Sequence, residues 1–322
     1  MSALVNSRGR ASFSGIFKKR VLFYSCVAYG GEASNRENLS MLGIIGGSGL
    51  YKLDNLEIIG AHDIDTPFGK PSAPVTEATL NGNRALFLPR HGLNHEFLPS
   101  EVNFRANIWA LKKLGARTVL SVSASGSLQE EIKPGDMVLC DQYFDHTRGK
   151  RAYSFFGDGL TGHISTAQPA CPALTGDVLR AAKALGITLH TGKAYACVEG
   201  PRLGTKAESL FLRGAAGCDI VGMTNVPEAF LAREAQMGYV TLAIATDYDC
   251  WRENPDEHVS MEAVFAVYYE NIDKVKKLVA KLLEGQISET PDFIRTALSG
   301  SIITPDVRLT PAQREWLSVL RA

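Results

Sequence analysis

The sequence predicts an α/β fold built around a mainly parallel sheet. From Met41 onward, short apolar segments alternate with longer amphipathic ones, which is the pattern of strands connected by helices. The chain has 322 residues, of which 45% are hydrophobic, so it can bury a large core. The sequence contains no internal repeat, low-complexity tract or linker, and a single domain is therefore expected.

The predicted strands are the short apolar segments. Several of them end in small or polar residues, which is typical of strand ends that face a ligand crevice. The last of them is the most apolar segment in the chain. The seven predicted strands are 42–45, 85–88, 118–122, 137–139, 194–198, 220–223 and 239–245.

Three predicted helices have visible start or stop signals. Apolar residues recur on one face of the first, and Gly115 follows it as a stop signal. Asn225 is the predicted N-cap of the second, and Ser260 is the predicted N-cap of the third, which Gly285 closes. The three predicted helices are 103–114, 225–236 and 261–283.

The two ends of the chain differ from this pattern. Residues 1–40 are rich in serine and carry scattered basic residues with no acid before Glu32, which resembles a transit peptide that targets an organelle. The other interpretation is a disordered leader or an upstream start, with Met41 as the working initiator. Segment 286–322 is weakly patterned, and we expect a peripheral C-terminal tail there. The predicted domain is therefore 41–285.

Composition argues against several classes of protein. The 34 basic and 34 acidic residues cancel, so no global field attracts nucleic acid or an anionic membrane. The six cysteines have neither the pairing of a zinc site nor the density of a secreted disulfide scaffold, so a cytoplasmic location is expected. No apolar segment approaches the roughly 20 residues that span a bilayer. An anionic ligand would have to be held by local groups.

Four predicted strand ends carry groups suited to an anion. A Gly-Gly-Ser-Gly turn lets backbone N–H groups approach closely, and its Ser48 adds a hydroxyl. Arg90 offers a planar fork with His91 beside it, and segment 123–127 supplies small residues and hydroxyls. Thr224 precedes a predicted helix, whose N-terminus favours an anion. Taken singly, each motif also fits an ordinary turn or surface residue.

Two carboxylates follow the most apolar strand. Asp247 and Asp249 are spaced i, i+2, which puts them on the same side of an extended segment, so both can address the edge of one ligand. An acid placed there can give a proton to a leaving group that develops negative charge, such as a purine base. Capping of the following turn is the alternative interpretation.

Longer strings of the sequence resemble the S-methyl-5′-thioadenosine phosphorylase family, in order from about Leu42 to about Gly285. They are Gly-Ile-Ile-Gly-Gly-Ser-Gly-Leu from residue 43, Thr-Pro-Phe-Gly-Lys-Pro-Ser from 66, Arg-His-Gly from 90, Glu-Gly-Pro-Arg from 199, Gly-Met-Thr from 222, Val-Pro-Glu from 226 and Thr-Asp-Tyr-Asp-Cys-Trp from 246. The resemblance implies an α/β domain of the purine nucleoside phosphorylase type. Its central sheet would be mixed and partly barrel-like, flanked by helices, and the assembly would be a homotrimer.

The resemblance also implies residue roles. Asp247 would act on N7 of adenine as the catalytic acid, and Asp249 would address the 6-amino group. Met223 would lie on the ribose. His163 from a neighbouring subunit and the segment from Met261 to Phe265 would cover the 5′-methylthio end, with Met261 and Gly204 as residues that set specificity. The residues that would hold phosphate are Ser48, Arg90, His91, Ser123, Ala124 and Thr224.

The implied activity is a pentosyl transfer in purine and methionine salvage. S-methyl-5′-thioadenosine and inorganic phosphate would give adenine and 5-methylthioribose 1-phosphate, with no metal or organic cofactor. The sequence departs from the family at Leu203, where a phenylalanine usually stacks on the base, and at Gly204, where serine is common. A 6-oxopurine nucleoside (methylthioinosine, inosine or guanosine) is therefore the alternative substrate. The aspartate pair favours adenine, because an ionised carboxylate accepts from an amino group and repels a 6-oxo group.

The α/β pattern also fits two other classes of protein. A nicotinamide-dependent dehydrogenase fits the α/β pattern, but its glycine fingerprint requires another glycine where Lys52 stands. A non-catalytic binding protein could keep the fold, but it has no need for Arg90, His91, Thr224 and Asp247 together.

Overall fold

The computed structural model describes residues 41–47, 50, 56–254 and 259–322, and all of them belong to one compact unit. Within this part of the chain there are nine strands and seven α-helices. The strands are β1 Met41–Gly46, β2 Glu57–His62, β3 Val75–Leu80, β4 Asn83–Pro89, β5 Ala116–Ser127, β6 Met137–His146, β7 Leu189–Val198, β8 Ile220–Gly222 and β9 Gly238–Asp247. The helices are α1 Phe104–Lys113, α2 Pro172–Ala184, α3 Lys206–Gly214, α4 Asn225–Glu234, α5 Met261–Glu284, α6 Asp292–Arg295 and α7 Pro311–Arg321.

The strands form one mixed sheet in the order β2-β3-β4-β1-β5-β8-β7-β6-β9. Strand β9 also pairs with β5, so five strands close into a barrel and β1 to β4 extend from it. This confirms the mixed, partly barrel-like sheet that the resemblance implies. The expectation of a mainly parallel sheet is too narrow, because β2–β3, β3–β4, β5–β8 and β6–β9 pair antiparallel.

Strand β5 is the centre of this arrangement. It is 12 residues long and pairs with β1, β8 and β9. Near its carboxyl end, Gly126 is in register with Val221 of β8 on one side and with Asp247 of β9 on the other. The ends of β5, β8 and β9 therefore lie side by side at this point of the sheet.

Helices cover both faces of the sheet. On one side, Val275, Leu278 and Val279 of α5 pack with α2 against the strands. On the other, α1 and α4 pack with α7, and all of these contacts exclude water. Each fully buried leucine or valine contributes roughly 1.5–3 kcal/mol to folding. The expected single domain flanked by helices is confirmed.

Seven of the nine strands and three of the seven helices coincide with the predicted segments. Asn103 caps α1 by accepting from Ala106 N (3.2 Å), and Ser260 caps α5 by accepting from Ala263 N (3.2 Å). Strands β2 and β3 were not predicted. Most residues of β2 are exposed and give no apolar alternation, and the buried residues of β3 include the charged Glu77. Hydrogen bonds to the antiparallel neighbour β3 hold β2 in the sheet, although its own sequence shows no strand pattern.

Segment 286–322 is built into the fold. Trp316, Leu317 and Leu320 of α7 are 7%, 1% and 0% exposed and join the core beside α1. Trp109 Nε1 of α1 donates to Trp316 O over 3.3 Å. The predicted peripheral tail therefore contributes core residues, although the predicted boundaries themselves stay a prediction. The predicted leader 1–40 lies outside the described residues.

Glu234 at the end of α4 is a buried carboxylate, 6% exposed. It accepts hydrogen bonds from Phe155 N and Ser154 Oγ, both over 2.7 Å. Burial raises the pKa of Glu234 to about 7, and these two donors offset only part of that effect. The unfolded chain therefore releases this proton at lower pH than the folded chain does. Folding stability falls as pH rises from the ordinary value of 4.5 to about 7.

The substitution Glu234→Gln removes this titration. Between pH 4.5 and 7.5, we expect the wild type to lose up to about 3 kcal/mol of unfolding free energy relative to the variant. Urea unfolding of both proteins at matched concentration, at each pH, measures the difference. Parallel pH profiles would contradict a raised pKa at Glu234.

Candidate active site

The ends of four strands meet around the carboxyl end of β5. Arg90 directly follows β4, Thr224 lies two residues beyond β8, and Asp247 is the last residue of β9. Segment 123–127 is the end of β5 itself. The structure thus brings together the strand ends that the sequence selects. Ser48, predicted beside them, lies outside the described residues.

Arg90 is buried and its guanidinium is occupied. Nε and Nη2 donate to the two carboxylate oxygens of Glu228 over 2.8 and 2.9 Å. Nη2 also donates to Ser121 Oγ over 2.6 Å, and Nη1 donates to Val122 O over 3.1 Å. These bonds use four of the five N–H groups. The fork that the sequence assigns to phosphate oxygens therefore faces a carboxylate, and one N–H on Nη1 is left for a ligand.

The predicted phosphate side is not simply cationic, because the charge of Arg90 is paired with Glu228 and the pKa of His91 is lowered. Burial lowers the pKa of Arg90, but the Glu228 carboxylate outweighs it and keeps that pKa above its ordinary value. Burial and then the Arg90 charge lower the pKa of His91 to about 4, so His91 is neutral at pH 7. His91 Nδ1 lies 2.9 Å from Phe97 O and must carry the proton, because a carbonyl only accepts. His91 Nε2 is then a hydrogen-bond acceptor.

Asn225 links Thr224 to this buried network. Its Nδ2 donates to Ser121 Oγ (3.1 Å) and Tyr239 Oη (2.8 Å), and its Oδ1 accepts from Thr224 Oγ1 (3.4 Å). The prediction that Asn225 is the N-cap is therefore wrong. Thr224 occupies the N-cap position, and Val226 has non-helical backbone angles, so the regular part of α4 begins after it.

The end of β5 supplies two further hydroxyls. Ser123 and Ser125 are buried, with their Oγ atoms 3.4 Å apart, and Ala124 between them is half-buried. A Cβ on Gly222 would lie 3.1 Å from Ser125 Oγ. The backbone that leads from β8 into Thr224 therefore runs directly along these serines.

The aspartate pair is packed against the same strand. Asp247 and Asp249 are 8% and 7% exposed, and a Cβ on Gly126 would lie 2.9 Å from Asp247 Oδ1 and 3.2 Å from Asp249 Cβ. Only glycine fits at residue 126 without displacing the acids. Asp249 N donates to Asp247 Oδ1 over 2.7 Å, and Thr246 Oγ1 donates to Asp247 Oδ2 over 2.7 Å.

The pair is formed in a different way from the prediction. The sequence predicts an extended segment that aligns the two carboxylates by their spacing. Instead, Asp249 has φ +51°, in the left-handed region that a non-glycine residue rarely adopts. Such local strain is typical of functional sites.

Burial raises the pKa of both acids above the ordinary aspartate value. At Asp247, the Thr246 hydroxyl and the Asp249 N–H oppose this effect, while the Asp249 carboxylate adds to it. At Asp249, burial is again the largest cause. A raised pKa is the direction that a general acid requires near neutral pH.

A cavity of about 210 Å³ opens beside Asp249. Gly204 lines it, and a Cβ there would lie 3.8 Å from Asp249 Oδ2, so ordinary contact would be reached without a clash. Leu203 next to it is half-buried. Arg90 and Thr224 are not among the described lining residues, so this cavity belongs to the aspartate side of the site.

Met223 lies between the two sides. It directly precedes Thr224, and its Sδ would lie 2.5 Å from a Cβ on Gly200, which has φ +68°. The loop that carries Leu203 and Gly204 therefore starts in contact with Met223. Only a glycine at residue 200 allows the thioether to pack there.

Two predicted residues are not brought into this group within one subunit. The side chain of His163 is exposed, and its backbone N–H donates over 2.9 Å to the backbone carbonyl of Ser301 in the C-terminal segment. Met261 is 49% exposed at the start of α5. Further along that helix, Tyr268 Oη would lie 3.0 Å from a Cβ on Gly47, the residue after β1.

The sequence reasoning gave no role to Tyr268, Glu228 or Ser121. Tyr268 follows Met261 by seven residues, so the helical repeat places both on one face. Glu228 stands inside the Val-Pro-Glu string, which marked the resemblance but assigned it no contact. Ser121 is an ordinary strand residue, and only the folded structure identifies its partners.

The described residues offer neither a metal site nor a membrane-spanning helix. No cluster of three or more His, Cys, Asp or Glu side chains could hold a metal ion. No helix in this part of the chain is long and apolar enough to cross a bilayer. The absence of a cofactor stays a prediction.

Known proteins match this chain over most of its length. A family model of the phosphorylase superfamily matches residues 41–284. The S-methyl-5′-thioadenosine phosphorylase of Geobacter sulfurreducens is 43% identical over 280 residues, which cover 87% of this chain and 97% of that protein.

Solved structures give the same result. A methylthioadenosine phosphorylase from an antarctic soil metagenomic library is 42% identical with a TM-score of 0.81, covering 88% of this chain and 99% of that one. A mutant adenosine/methylthioadenosine phosphorylase of Schistosoma mansoni, in complex with methylthioadenosine, is 35% identical with a TM-score of 0.71. That match covers 76% of this chain and 91% of the other.

Proposed function

The chain belongs to the phosphorylase superfamily, and we propose that it uses inorganic phosphate to cleave the glycosidic bond of S-methyl-5′-thioadenosine. The products are adenine and 5-methylthioribose 1-phosphate. One observation carries the proposal: two buried acids with raised pKa values adjoin Gly126, on the same strand end that carries the Ser123 and Ser125 hydroxyls. Full-length identity to a relative of that name supports the choice of substrate.

We assign phosphate to the side of the site formed by β4, β5 and β8. The free N–H of Arg90 and the hydroxyl of Ser123 donate to its oxygens, and Ala124 allows close approach of the backbone. The Thr224 hydroxyl turns from Asn225 Oδ1 to donate to phosphate as well. Neutral His91 accepts from the protonated phosphate oxygen through Nε2. Ser48 completes this set. Local donors rather than net charge hold the anion, in keeping with the balanced composition.

On the other side, Asp247 assists the leaving base. A phosphate oxygen forms a bond to the anomeric carbon while the bond from that carbon to the base nitrogen breaks. Asp247 gives a proton to N7, and the proton that phosphate loses on forming the ester balances it. Asp249 accepts from the 6-amino group, and Met223 lies against the ribose. Positioning and electrostatics supply most of the rate enhancement.

A neighbouring subunit completes the part of the site that covers the 5′-methylthio group. We assign that end to Met261 and to His163 of a neighbouring subunit in a homotrimer, because His163 is exposed and lies with the C-terminal segment of its own subunit. Exposed Phe144 and Phe211, 36% and 46% accessible, form an aromatic patch with His146 that suits a subunit contact. The enzyme acts in salvage in the cytoplasm, consistent with the free, buried cysteines of the described chain. No cofactor takes part.

The choice of base is tested by comparing substrates. Leu203 removes the aromatic platform, which leaves methylthioinosine, inosine and guanosine as alternatives. The kcat/KM values for phosphorolysis of these three and of S-methyl-5′-thioadenosine are measured side by side. The aspartate pair predicts the highest value for S-methyl-5′-thioadenosine. A higher value for any 6-oxopurine nucleoside would replace adenine as the assigned base.

Thr224→Ala tests the phosphate side. Loss of one hydroxyl donor to an anion costs about 1.5–3 kcal/mol, so we expect KM for phosphate to rise roughly 10- to 100-fold. KM for the nucleoside should change much less, because Thr224 contacts phosphate. Initial rates with each substrate varied in turn separate the two constants. Equal effects on both would contradict the assignment.

A further inference from the structure

Glu228 is the anion of the buried network behind the phosphate side. It is 0% exposed and accepts four hydrogen bonds. Two come from Arg90, and the others come from Ser121 Oγ (2.7 Å) and Tyr239 Oη (2.9 Å). The carboxylate therefore fixes both prongs of the Arg90 fork in one orientation.

This orientation decides what Arg90 offers to a ligand. Its Nη1 already donates to Val122 O, the residue before the hydroxyl-bearing segment 123–127. The remaining N–H is on the same nitrogen, and the carbonyl that this nitrogen already binds belongs to the residue before the predicted phosphate ligand Ser123. Arg90 N also donates to Gly46 O over 2.9 Å, which ties its backbone to the last residue of β1. Backbone and side chain are both held at this strand end.

We propose that Glu228 is a positioning residue for phosphate, which holds Arg90 so that its one free N–H faces the phosphate oxygens. The proposal rests on the proposed function, because it takes phosphate as the ligand of that side. A buried ion pair by itself gives little net stability, since desolvation offsets the attraction. A role in orienting Arg90 explains why the pair stands directly behind the anion ligands.

The proposal predicts the sign of one substitution. In Glu228→Gln, the amide oxygen can accept from one prong, but the amide N–H groups repel the other. Arg90 then turns away, and phosphate binding weakens. If Glu228 only offset the charge of Arg90, the same variant would leave an unpaired cation and bind phosphate more tightly. The two roles therefore give opposite results.

Titration calorimetry with inorganic phosphate alone, without nucleoside, measures this effect. We expect the phosphate Kd of Glu228→Gln to rise about 10- to 100-fold, the value of a hydrogen bond to a charged group. KM for the nucleoside should stay within about twofold. The matched control is Asp177→Asn. Asp177 lies in α2, away from the site; its carboxylate is 4% exposed and accepts from Ser288 N over 2.8 Å. This variant should leave the phosphate Kd unchanged.

A milder pair of variants covers the case in which Glu228→Gln does not fold. Tyr239→Phe keeps the carboxylate and removes one of its four donors, so a rise of about threefold in phosphate Kd is expected. Its control, Thr290→Val, removes a buried hydroxyl that donates to Arg117 O (3.1 Å), has no contact with Tyr239 or Glu228, and should have no such effect.

The outcomes separate this inference from the proposed function. Unchanged or tighter phosphate binding in both Glu228→Gln and Tyr239→Phe would overturn the role of Glu228 and leave the function standing. A wild-type protein that binds no phosphate would overturn the proposed function itself.

Discussion

Asp247→Asn is expected to keep the fold and to lower kcat by about 10²- to 10⁴-fold, the usual contribution of a general acid. The amide keeps the shape of the side chain but has no proton to give to N7. Its Oδ1 can still accept from Asp249 N, and its N–H can donate to the Thr246 hydroxyl, so the local hydrogen bonds survive. The loss therefore falls on the chemical step.

Single-turnover rates and phosphate titrations of this variant measure the two effects separately. The Kd for phosphate should remain within about twofold, because Asp247 lies on the base side. Thermal unfolding should show that the fold is intact, and Asp177→Asn serves again as the buried-carboxylate control. An unchanged kcat would contradict the role of Asp247.

Asp249→Asn is expected to change the preferred base. Its carboxylate accepts from the 6-amino group, so its loss should lower kcat/KM for S-methyl-5′-thioadenosine by about 10- to 100-fold. The asparagine amide can donate to a 6-oxo group, so kcat/KM for methylthioinosine should rise. The backbone N–H that Asp249 gives to Asp247 is unaffected by the substitution.

The ratio of the two kcat/KM values is the quantity to measure. It should move by two orders of magnitude or more toward methylthioinosine if both effects occur. A proportional fall with both substrates would show that Asp249 acts only by shaping the site. A fixed ratio would therefore reject the assignment of the 6-amino contact.

The strand ends were predictable from the sequence because they follow from a local rule. Short apolar segments that end in polar or small residues indicate strands that stop at a crevice. Arg90, segment 123–127, Thr224 and Asp247 were all found in this way. Their meeting depends on strand order, which the alternation of segments does not specify. The closure of β9 onto β5 supplies it.

Other features depend on contacts that are distant in sequence. The partner of Arg90 is Glu228, 138 residues away, so no local pattern joins the two. A free fork for phosphate was the natural expectation without that partner. The left-handed backbone of Asp249 likewise has no signal in the sequence, because the i, i+2 spacing of the two acids does not specify the φ of either residue.

The sequence of segment 286–322 contains the start signals of α7, but its apolar pattern is too weak to predict that this helix is buried. Thr310 and Gln313 form a capping box, and Pro311 stands in the first turn of α7. Only four large apolar residues follow, Trp316, Leu317, Val319 and Leu320, and their burial depends on the surface of α1. A short amphipathic helix of this kind is stable only when its apolar face packs against the rest of the protein.

The central claim is that a phosphate site and an acid pair act on one glycosidic bond. The most direct test is the release of adenine from S-methyl-5′-thioadenosine by the purified protein, with and without inorganic phosphate. We predict release that requires phosphate and yields one 5-methylthioribose 1-phosphate per adenine. Equal release in phosphate-free buffer, with free 5-methylthioribose as the second product, would contradict it.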